Sequence, residues 1–420
     1  MKIKVVEKSY QEVINSPKFQ HQKPPRQSFL FATLVMILSF FELLAVKFKS
    51  NKYNMDKINK KEQCLYLMNH SSFIDLKIAF KLIYPKKFNI ITTDDAFVGQ
   101  KFLLRRLGCI PAKKFIFDSV LIRDMVAAKK NKHSILMYPE ASYSFDGTQT
   151  PLPDNIGKFI KFLKMPVVII NTKGAFLRDP LYNNLQIRKV NVSADMTCIL
   201  SSKEVEEKSD KEIDALVKQY FDFDNFKHQQ ENKIKVDVAF RADHLNRVLY
   251  KCPSCFKEGQ MEGKGIHITC NACNKKHELT EYGFLKAVDG HETFTHIPSW
   301  YKFERECVKK EIIDGTYLLD IDVDIYMMTN FKCIYKVGKG HLRHTVEGFH
   351  LTGCDGQIDY IQKPMSSYSL YSDYNWYEVG DVICIGNEKV RYYCISKEKK
   401  DIVAKTRLAT EELYKYLKSK

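Results

Sequence analysis

A histidine with an aspartate five residues on, in Asn69-His70-Ser71-Ser72-Phe73-Ile74-Asp75, is the part of this chain best equipped for chemistry. A neutral imidazole can take the proton of a hydroxyl, and a carboxylate on its other nitrogen fixes the tautomer and supports the imidazolium that forms. The flanking pattern says how the pair would be held. Cys64-Leu65-Tyr66-Leu67-Met68 reads as a buried strand, and Leu76 to Leu82 reads as a helix. Ser71 or Ser72 can cap that helix, which leaves His70 in the connecting loop and lets Asp75 fold back toward the ring. Spacing alone decides nothing, because His350-Leu351-Thr352-Gly353-Cys354-Asp355 repeats it in a glycine-broken loop.

The first copy has company. Ser134-Ile135-Leu136-Met137-Tyr138 reads as a second buried strand, and it delivers Pro139-Glu140-Ala141-Ser142 at its end, the placement His70 also has. Between the two lies Leu107-Gly108-Cys109-Ile110-Pro111-Ala112-Lys113-Lys114, a glycine turn, a short apolar piece and paired cations. Met165-Pro166-Val167-Val168-Ile169-Ile170 gives a third strand ending near Gly174. Amphipathic stretches such as Phe102 to Leu107 and Ser119 to Lys129 alternate with these runs, which predicts an α/β sheet with flanking helices and active loops at the strand ends. Ser209-Asp210-Lys211-Glu212 is a capping box, with Ile213, Leu216, Val217 and Tyr220 following at helical spacing.

In this order the blocks resemble those of the glycerolipid acyltransferases, the family that includes lysophosphatidate acyltransferase. They correspond to its Asn-His-x4-Asp, glycine-apolar-basic, Phe-Pro-Glu-Gly-Thr-Arg and Val-Pro-Val blocks, and the likeness runs over roughly residues 62–235. The resemblance implies transfer of a fatty acyl group from acyl-CoA or acyl-carrier protein to the hydroxyl of a lysophospholipid. The acceptor it implies is most often lysophosphatidate, giving phosphatidate for phospholipid synthesis. It casts His70 as general base and Asp75 as the carboxylate that orients it. It assigns Asn69, Glu140, Ala141 and Ser142 to acceptor binding and loop architecture, and Gly108, Lys113 and Lys114 to the phosphate end. Ala141 and Ser142 stand where Gly and Thr are usual, and Tyr143 stands where the family often has an arginine for the acceptor phosphate. A phenol cannot replace a guanidinium fork, so either Lys113 and Lys114 take that work or the acceptor is a different lysolipid.

Lys251-Cys252-Pro253-Ser254-Cys255 and Cys270-Asn271-Ala272-Cys273 form two Cys-x-x-Cys knuckles, the spacing of a zinc ribbon. Four thiolates from Cys252, Cys255, Cys270 and Cys273 close the coordination sphere, so the zinc would be structural, with His267 and His277 flanking it. The remaining eight of the chain's 12 cysteines are scattered singly, as in a reducing compartment. Lys257, Lys264, Lys275 and Lys276 permit nucleic-acid binding without arguing for it. The alternative of another class is therefore a non-catalytic, membrane-bound zinc-ribbon binding module that keeps an acyltransferase fold.

The chain of 420 residues is too long for one core. Its net charge of +16 favours an anionic partner such as a phospholipid surface, or simply reflects lysine on every solvated face. Ser28 to Val46 is apolar except for Thr33, Ser39 and Glu42, a length near the ~20 residues of a membrane span. Lys47, Lys49, Lys52, Lys57, Lys60 and Lys61 follow at once. The reading is a membrane-associating helix, spanning or interfacial, with the catalytic domain on the cytoplasmic face of the cell membrane. Tyr317 to Ile325 alternates as a half-buried strand, Val382 to Ile385 and Tyr392 to Ile395 are further strands, and Ala409 to Leu417 is a closing helix. The expected organisation is a basic N-terminal segment with its helix (1–61), an acyltransferase domain (62–235), a zinc ribbon with linker (236–287) and a β-rich accessory domain (288–420).

Overall fold

The computed structural model describes residues 3–17, 20–116, 118–396 and 401–420. A seven-stranded sheet runs in the order Lys49–Tyr53, Ser193–Leu200, Val167–Lys173, Leu65–Met68, Ser134–Met137, Phe88–Thr93, Cys109–Ala112. The five strands from Val167–Lys173 onward are mutually parallel, while Ser193–Leu200 runs antiparallel to Val167–Lys173. Parallel strands are covered on both faces, which is why Leu65, Tyr66, Leu67 and Met68 are all buried in one unbroken apolar run. Alternation then splits the run. Leu65 and Leu67 join a core with Met125, Ile160 and Val217 from helices Ser119–Lys130, Ile156–Leu163 and Asp210–Phe221. Tyr66 and Met68 join the opposite core with Leu43 and Ile78 from helices Phe29–Ala45 and Ile74–Ile83.

Register places the loops. Leu65 pairs with both Ile135 and Val167, and the strands Leu65–Met68 and Ser134–Met137 end within one residue of each other, so the His70 and Glu140 loops leave the sheet side by side. Such a crevice at the carboxyl ends of the strands is where open α/β sheets bind ligands.

The apolar N-terminal segment forms a helix of 17 residues, Phe29–Ala45, and among the described residues no helix is long and apolar enough to cross a membrane. The spanning form of the expectation therefore does not hold. Ala32, Ser39 and Leu43 are buried against the domain, and Glu42 is paired with Lys77 and with Arg178 at 2.6 Å. The opposite face is open, with Leu30 at 73% and Phe41 at 68% exposed. Exposed Phe102 extends this apolar surface through its ring contact with Phe31.

Beyond residue 240 the chain builds two more sheets. Leu285–Ala287, Lys276–Leu279, His267–Cys270 and Met261–Lys264 form a small antiparallel sheet beside the cysteine knuckles. The C-terminal region is β-rich, in the order Ile358–Gln362, Gly348–Gly353, Ile334–Thr345, Leu319–Met327, Arg391–Ile395, Gly380–Gly386, Tyr371–Trp376. It also contains helices Ile297–Ile313 and Ile402–Lys418. The N-terminal strand Val5–Glu7 adds to this sheet, parallel to Ile334–Lys336. A single core runs from Phe145 and Phe176 through Cys252 and Cys270 to Trp300, Leu342 and Leu408. The ribbon is thus packed between the sheets, with the Trp300 indole N–H donating to the Lys251 carbonyl at 2.9 Å.

Candidate active site

His70 leaves the strand Leu65–Met68 two residues past its end, and Asp75 lies in the first turn of the helix Ile74–Ile83. Asp75 is fully buried and turned back under the loop. Its Oδ2 accepts from the Ser71 N–H at 2.7 Å and the Ser72 N–H at 3.0 Å, and faces His70 Nδ1 at 3.2 Å. A carboxylate only accepts, so Nδ1 carries the proton and Nε2 is left as the basic nitrogen. The expected serine cap does not form, because Phe73 holds the N-cap position with no side-chain cap hydrogen bond; Ser72 Oγ accepts from the Ile74 N–H at 3.2 Å, and Asp75 satisfies the Ser71 and Ser72 N–H groups. Burial holds the His70 imidazole below its ordinary pKa, against the opposing pull of Asp75. The side chain nevertheless keeps 23% exposure, so the base is dry but reachable.

Glu140 ties this loop to the neighbouring one. Its Oε2 accepts from the His70 N–H at 3.0 Å, and its Oε1 accepts from the Thr150 N–H at 2.8 Å and the Thr150 hydroxyl at 3.2 Å. Burial pushes its carboxyl up to about 7, against those hydrogen bonds. Asn69 does parallel work on the other side: its Oδ1 accepts from the Thr172 N–H at 2.8 Å and its Nδ2 donates to the Thr172 carbonyl at 3.2 Å. The polar atoms of both residues are thus taken up by the protein's own loops. Ala141 adopts φ of +55°, and Ser142 closes the turn with its N–H on the Glu140 carbonyl at 2.8 Å. The Ser142 hydroxyl is buried with no partner.

Two tyrosines hold the imidazole from its two sides. Ring centroids of Tyr138 and Tyr143 both lie 4.2 Å from that of His70, at interplanar angles of 31° and 34°. Phe73, 62% exposed, meets Tyr143 edge-on at 5.8 Å. Tyr143 therefore occupies the arginine position of the resembled block as a wall of the base.

The remaining predicted residues divide. Lys114 comes to the site: its charge bears on His70, and its Nζ lies 4.2 Å from the centroid of Tyr371. Lys113 instead donates to the Glu388 carbonyl. Gly108 precedes the strand Cys109–Ala112 at the opposite end of the sheet, with φ of +88°, where a Cβ would press on the Phe88 carbonyl at 3.0 Å. The decoy His350 sits within the strand Gly348–Gly353 and bonds Asp359 at 2.6 Å, away from any such loop.

Sequence reasoning missed the contribution of the C-terminal sheet. Asp95 bonds Tyr371 and accepts from the Trp376 indole at 3.2 Å, and Asp94 pairs with Arg391. Asp373 lies near Lys114, and burial lifts its carboxyl to about 6. No local signal in the sequence links positions nearly 300 residues apart; only the aromatic density of Tyr371 to Tyr377 hints at it.

The four knuckle cysteines converge. Their sulfurs lie within 4.8 Å of one another, with Cys252 to Cys273 and Cys255 to Cys270 each at 3.7 Å. Zn–S bonds of about 2.3 Å set tetrahedral sulfurs about 3.8 Å apart, so the cluster fits such a cation. His267 and His277 are not among these converging ligands.

Comparison with known proteins gives one match to a family model, Acyltransferase, over residues 49–171. No curated protein matches the chain. Among solved structures, the 1-acyl-sn-glycerophosphate (LPA) acyltransferase PlsC from Thermotoga maritima is similar at 14% identity, over 45% of this chain and 76% of its own, with a TM-score of 0.38. The stretch that matches the Acyltransferase family model contains His70 and Glu140, in the loops after two neighbouring strands, and Asp75 in the first turn of the helix Ile74–Ile83.

Proposed function

We propose that this protein is a glycerolipid O-acyltransferase that moves a fatty acyl group from a thioester, acyl-CoA or acyl-carrier protein, to the hydroxyl of lysophosphatidate. The observation that carries the reading is the His70–Asp75 pair, in which the carboxylate takes Nδ1 and leaves Nε2 for the substrate. Nε2 removes the hydroxyl proton as the acceptor oxygen attacks the thioester carbonyl. Asp75 and the tyrosine faces support the imidazolium. The tetrahedral intermediate expels the thiolate, which takes the proton back from Nε2, so the acceptor's oxygen is the nucleophile and no acyl-enzyme forms. Glu140 and Asn69 hold the His70 loop in register for this step.

The exposed face of the helix Phe29–Ala45 and Phe102 supports docking on a phospholipid surface, the source of a lysolipid acceptor. Replacing Leu38 and Phe41 by serine should then reduce co-sedimentation with anionic vesicles without changing the fold. Undiminished binding would remove that role. The cysteine cluster is read as a structural zinc site. A second acceptor, a lysolipid without a phosphomonoester, is favoured by Tyr143 standing on His70 in place of a cation.

Purified protein assayed with lysophosphatidate and a panel of other lysolipids, beside His70→Ala, tests the reading. Acylation that falls by about 10²–10⁴-fold or more in the variant is expected. A folded protein inactive with both donors across the panel would sink it and favour the binding module.

A further inference from the structure

The strand Val167–Lys173 ends on Gly174, whose φ of +81° turns the chain into the short helix Ala175–Arg178. A Cβ there would press into the Asn191 carbonyl, so the turn calls for glycine. The turn carries Arg178 and Asp179, which lie beyond the four sequence blocks, into the interior beside the His70 loop. Their side chains are 4% and 3% exposed. A guanidinium buried this far has to be paired. Its Nη1 meets Asp179 Oδ2 at 3.0 Å, and its Nη2 donates to Glu42 Oε1 at 2.6 Å, on the helix Phe29–Ala45. Glu42 is also paired with Lys77, two residues past Asp75 on the helix Ile74–Ile83. On its other side Asp179 lies against the Ser72 hydroxyl and within reach of the Asp75 charge. Burial lifts its carboxyl to about 6, against the pull of Arg178 and Ser72. Asp75 Oδ1 and Asp179 Oδ1 are both buried with no hydrogen-bond partner, so each carboxylate keeps charge that no donor quenches.

Behind His70 these contacts link the carboxylates Asp75, Asp179 and Glu42 with the cations Arg178 and Lys77. With the imidazole neutral the set carries one negative charge in excess, and a proton on Nε2 brings it to balance. Among the described residues, the other groups facing the ring are Lys114, Tyr138 and Tyr143, with Glu140 on its backbone N–H. We propose that Glu42, Arg178 and Asp179 are positioning residues for the catalytic base: acting through Asp75, they hold an excess negative charge that is balanced only when His70 takes the acceptor's proton. Such a charge favours the transition state over the resting state, and the dry surroundings strengthen it. Glu42 also makes the set depend on the seat of the helix Phe29–Ala45, whose other face is the open apolar surface. That helix is tied to the base by ion pairs as well as by packing. The role in catalysis rests on the acyltransferase reading; the effect on the protonation of His70 does not.

Two measurements test the proposal on the full chain. Glu42→Gln keeps an oxygen for Arg178 and removes one negative charge. Its kcat should fall about tenfold with acceptor KM changed by less than about twofold, and the acid limb of its kcat/KM profile should move about half to one pH unit lower. Arg178→Met, which removes a cation, should move that limb the other way. A bridge that serves only the fold would move neither limb, so falls in kcat with unmoved limbs overturn the proposal, as does native kcat in Glu42→Gln. Arg178→Met can fail to fold, and Glu42→Gln, with its melting curve checked, then decides the matter. The second measurement does not need turnover. NMR titration of ring-labelled histidine, with the His70 signal identified by its loss in His70→Ala, should place the His70 midpoint lower in Glu42→Gln than in the native protein by about the same interval. An unmoved midpoint overturns the proposal whatever the activity. A lowered midpoint in a protein that acylates no acceptor upholds the coupling of these residues to His70 and removes the acyltransferase reading.

Discussion

Glu140→Gln separates an architectural carboxylate from one that touches the acceptor. The amide oxygen can keep the Thr150 N–H and hydroxyl only by turning its NH2 toward the His70 N–H, now held at 3.0 Å by the carboxylate. The reverse orientation strands two donors, so the first is cheaper. One buried backbone donor is left facing another, which costs about 1–3 kcal/mol. The sign with pH follows from the carboxyl raised to about 7 from its ordinary 4.5. A raised folded pKa contributes stability that is fully present below the unfolded value and fades as pH climbs through the folded one. The native protein loses that contribution between about pH 5 and 8 and the glutamine variant has none to lose, so the gap narrows over that range. Urea unfolding at pH 5.5 and 8.0 reads both effects. Loosening the His70 backbone should also lower kcat by about 10–100-fold with little change in acceptor KM. Unaltered stability with a tenfold rise in acceptor KM would refute this reasoning and place Glu140 against the substrate.

Asp75→Asn can present its amide oxygen to the Ser71 and Ser72 N–H groups, so stability should fall by only about 1–2 kcal/mol while kcat falls about 10²–10⁴-fold. Equal losses in both would mean that the residue is structural. Because burial is the largest influence lowering His70, Tyr143→Ala, which opens one face of the ring, should move the acid limb of the kcat/KM profile up toward about 6.5, and Tyr143→Phe should leave it in place. A shift downward would show that the ring's negative face outweighs its dryness. Metal analysis should find one zinc per chain. Its removal should lower the melting temperature by about 10 °C or more and abolish acylation together, since Cys252 and Cys270 share a core with Phe145 and Trp300. Full activity in a chelated, zinc-free protein would make the ribbon independent.

Much of the acyltransferase sheet was legible in the sequence because its strands are buried on both faces and therefore written as unbroken apolar runs. The predicted Cys64 to Met68, Ser134 to Tyr138 and Met165 to Ile170 appear as Leu65–Met68, Ser134–Met137 and Val167–Lys173. The capping box at Ser209 opens the helix Asp210–Phe221 with both of its reciprocal hydrogen bonds. Short-range chemistry was equally readable: a histidine and an aspartate on one strand-to-helix turn, and cysteines in paired knuckles, are brought together by a few residues of local backbone. The apolar N-terminal segment was recognised, but its role depended on partners far along the chain. Glu42, the one charged residue of that helix, meets Arg178 and Lys77 in the folded protein.

By itself, then, the sequence determined the elements, the positions of the loops and the residues able to take a proton or grip a metal, because those follow from propensity, periodicity and local geometry. Only the tertiary structure decided which groups face the same space. It engaged Asn69 and Glu140 in holding loops, set Tyr143 on the imidazole, sent Gly108 to the far end of the sheet, and brought Tyr371 to Asp95. Contacts between residues hundreds of positions apart depend on how separate sheets pack together, and periodicity along a strand carries no record of what lies across that interface.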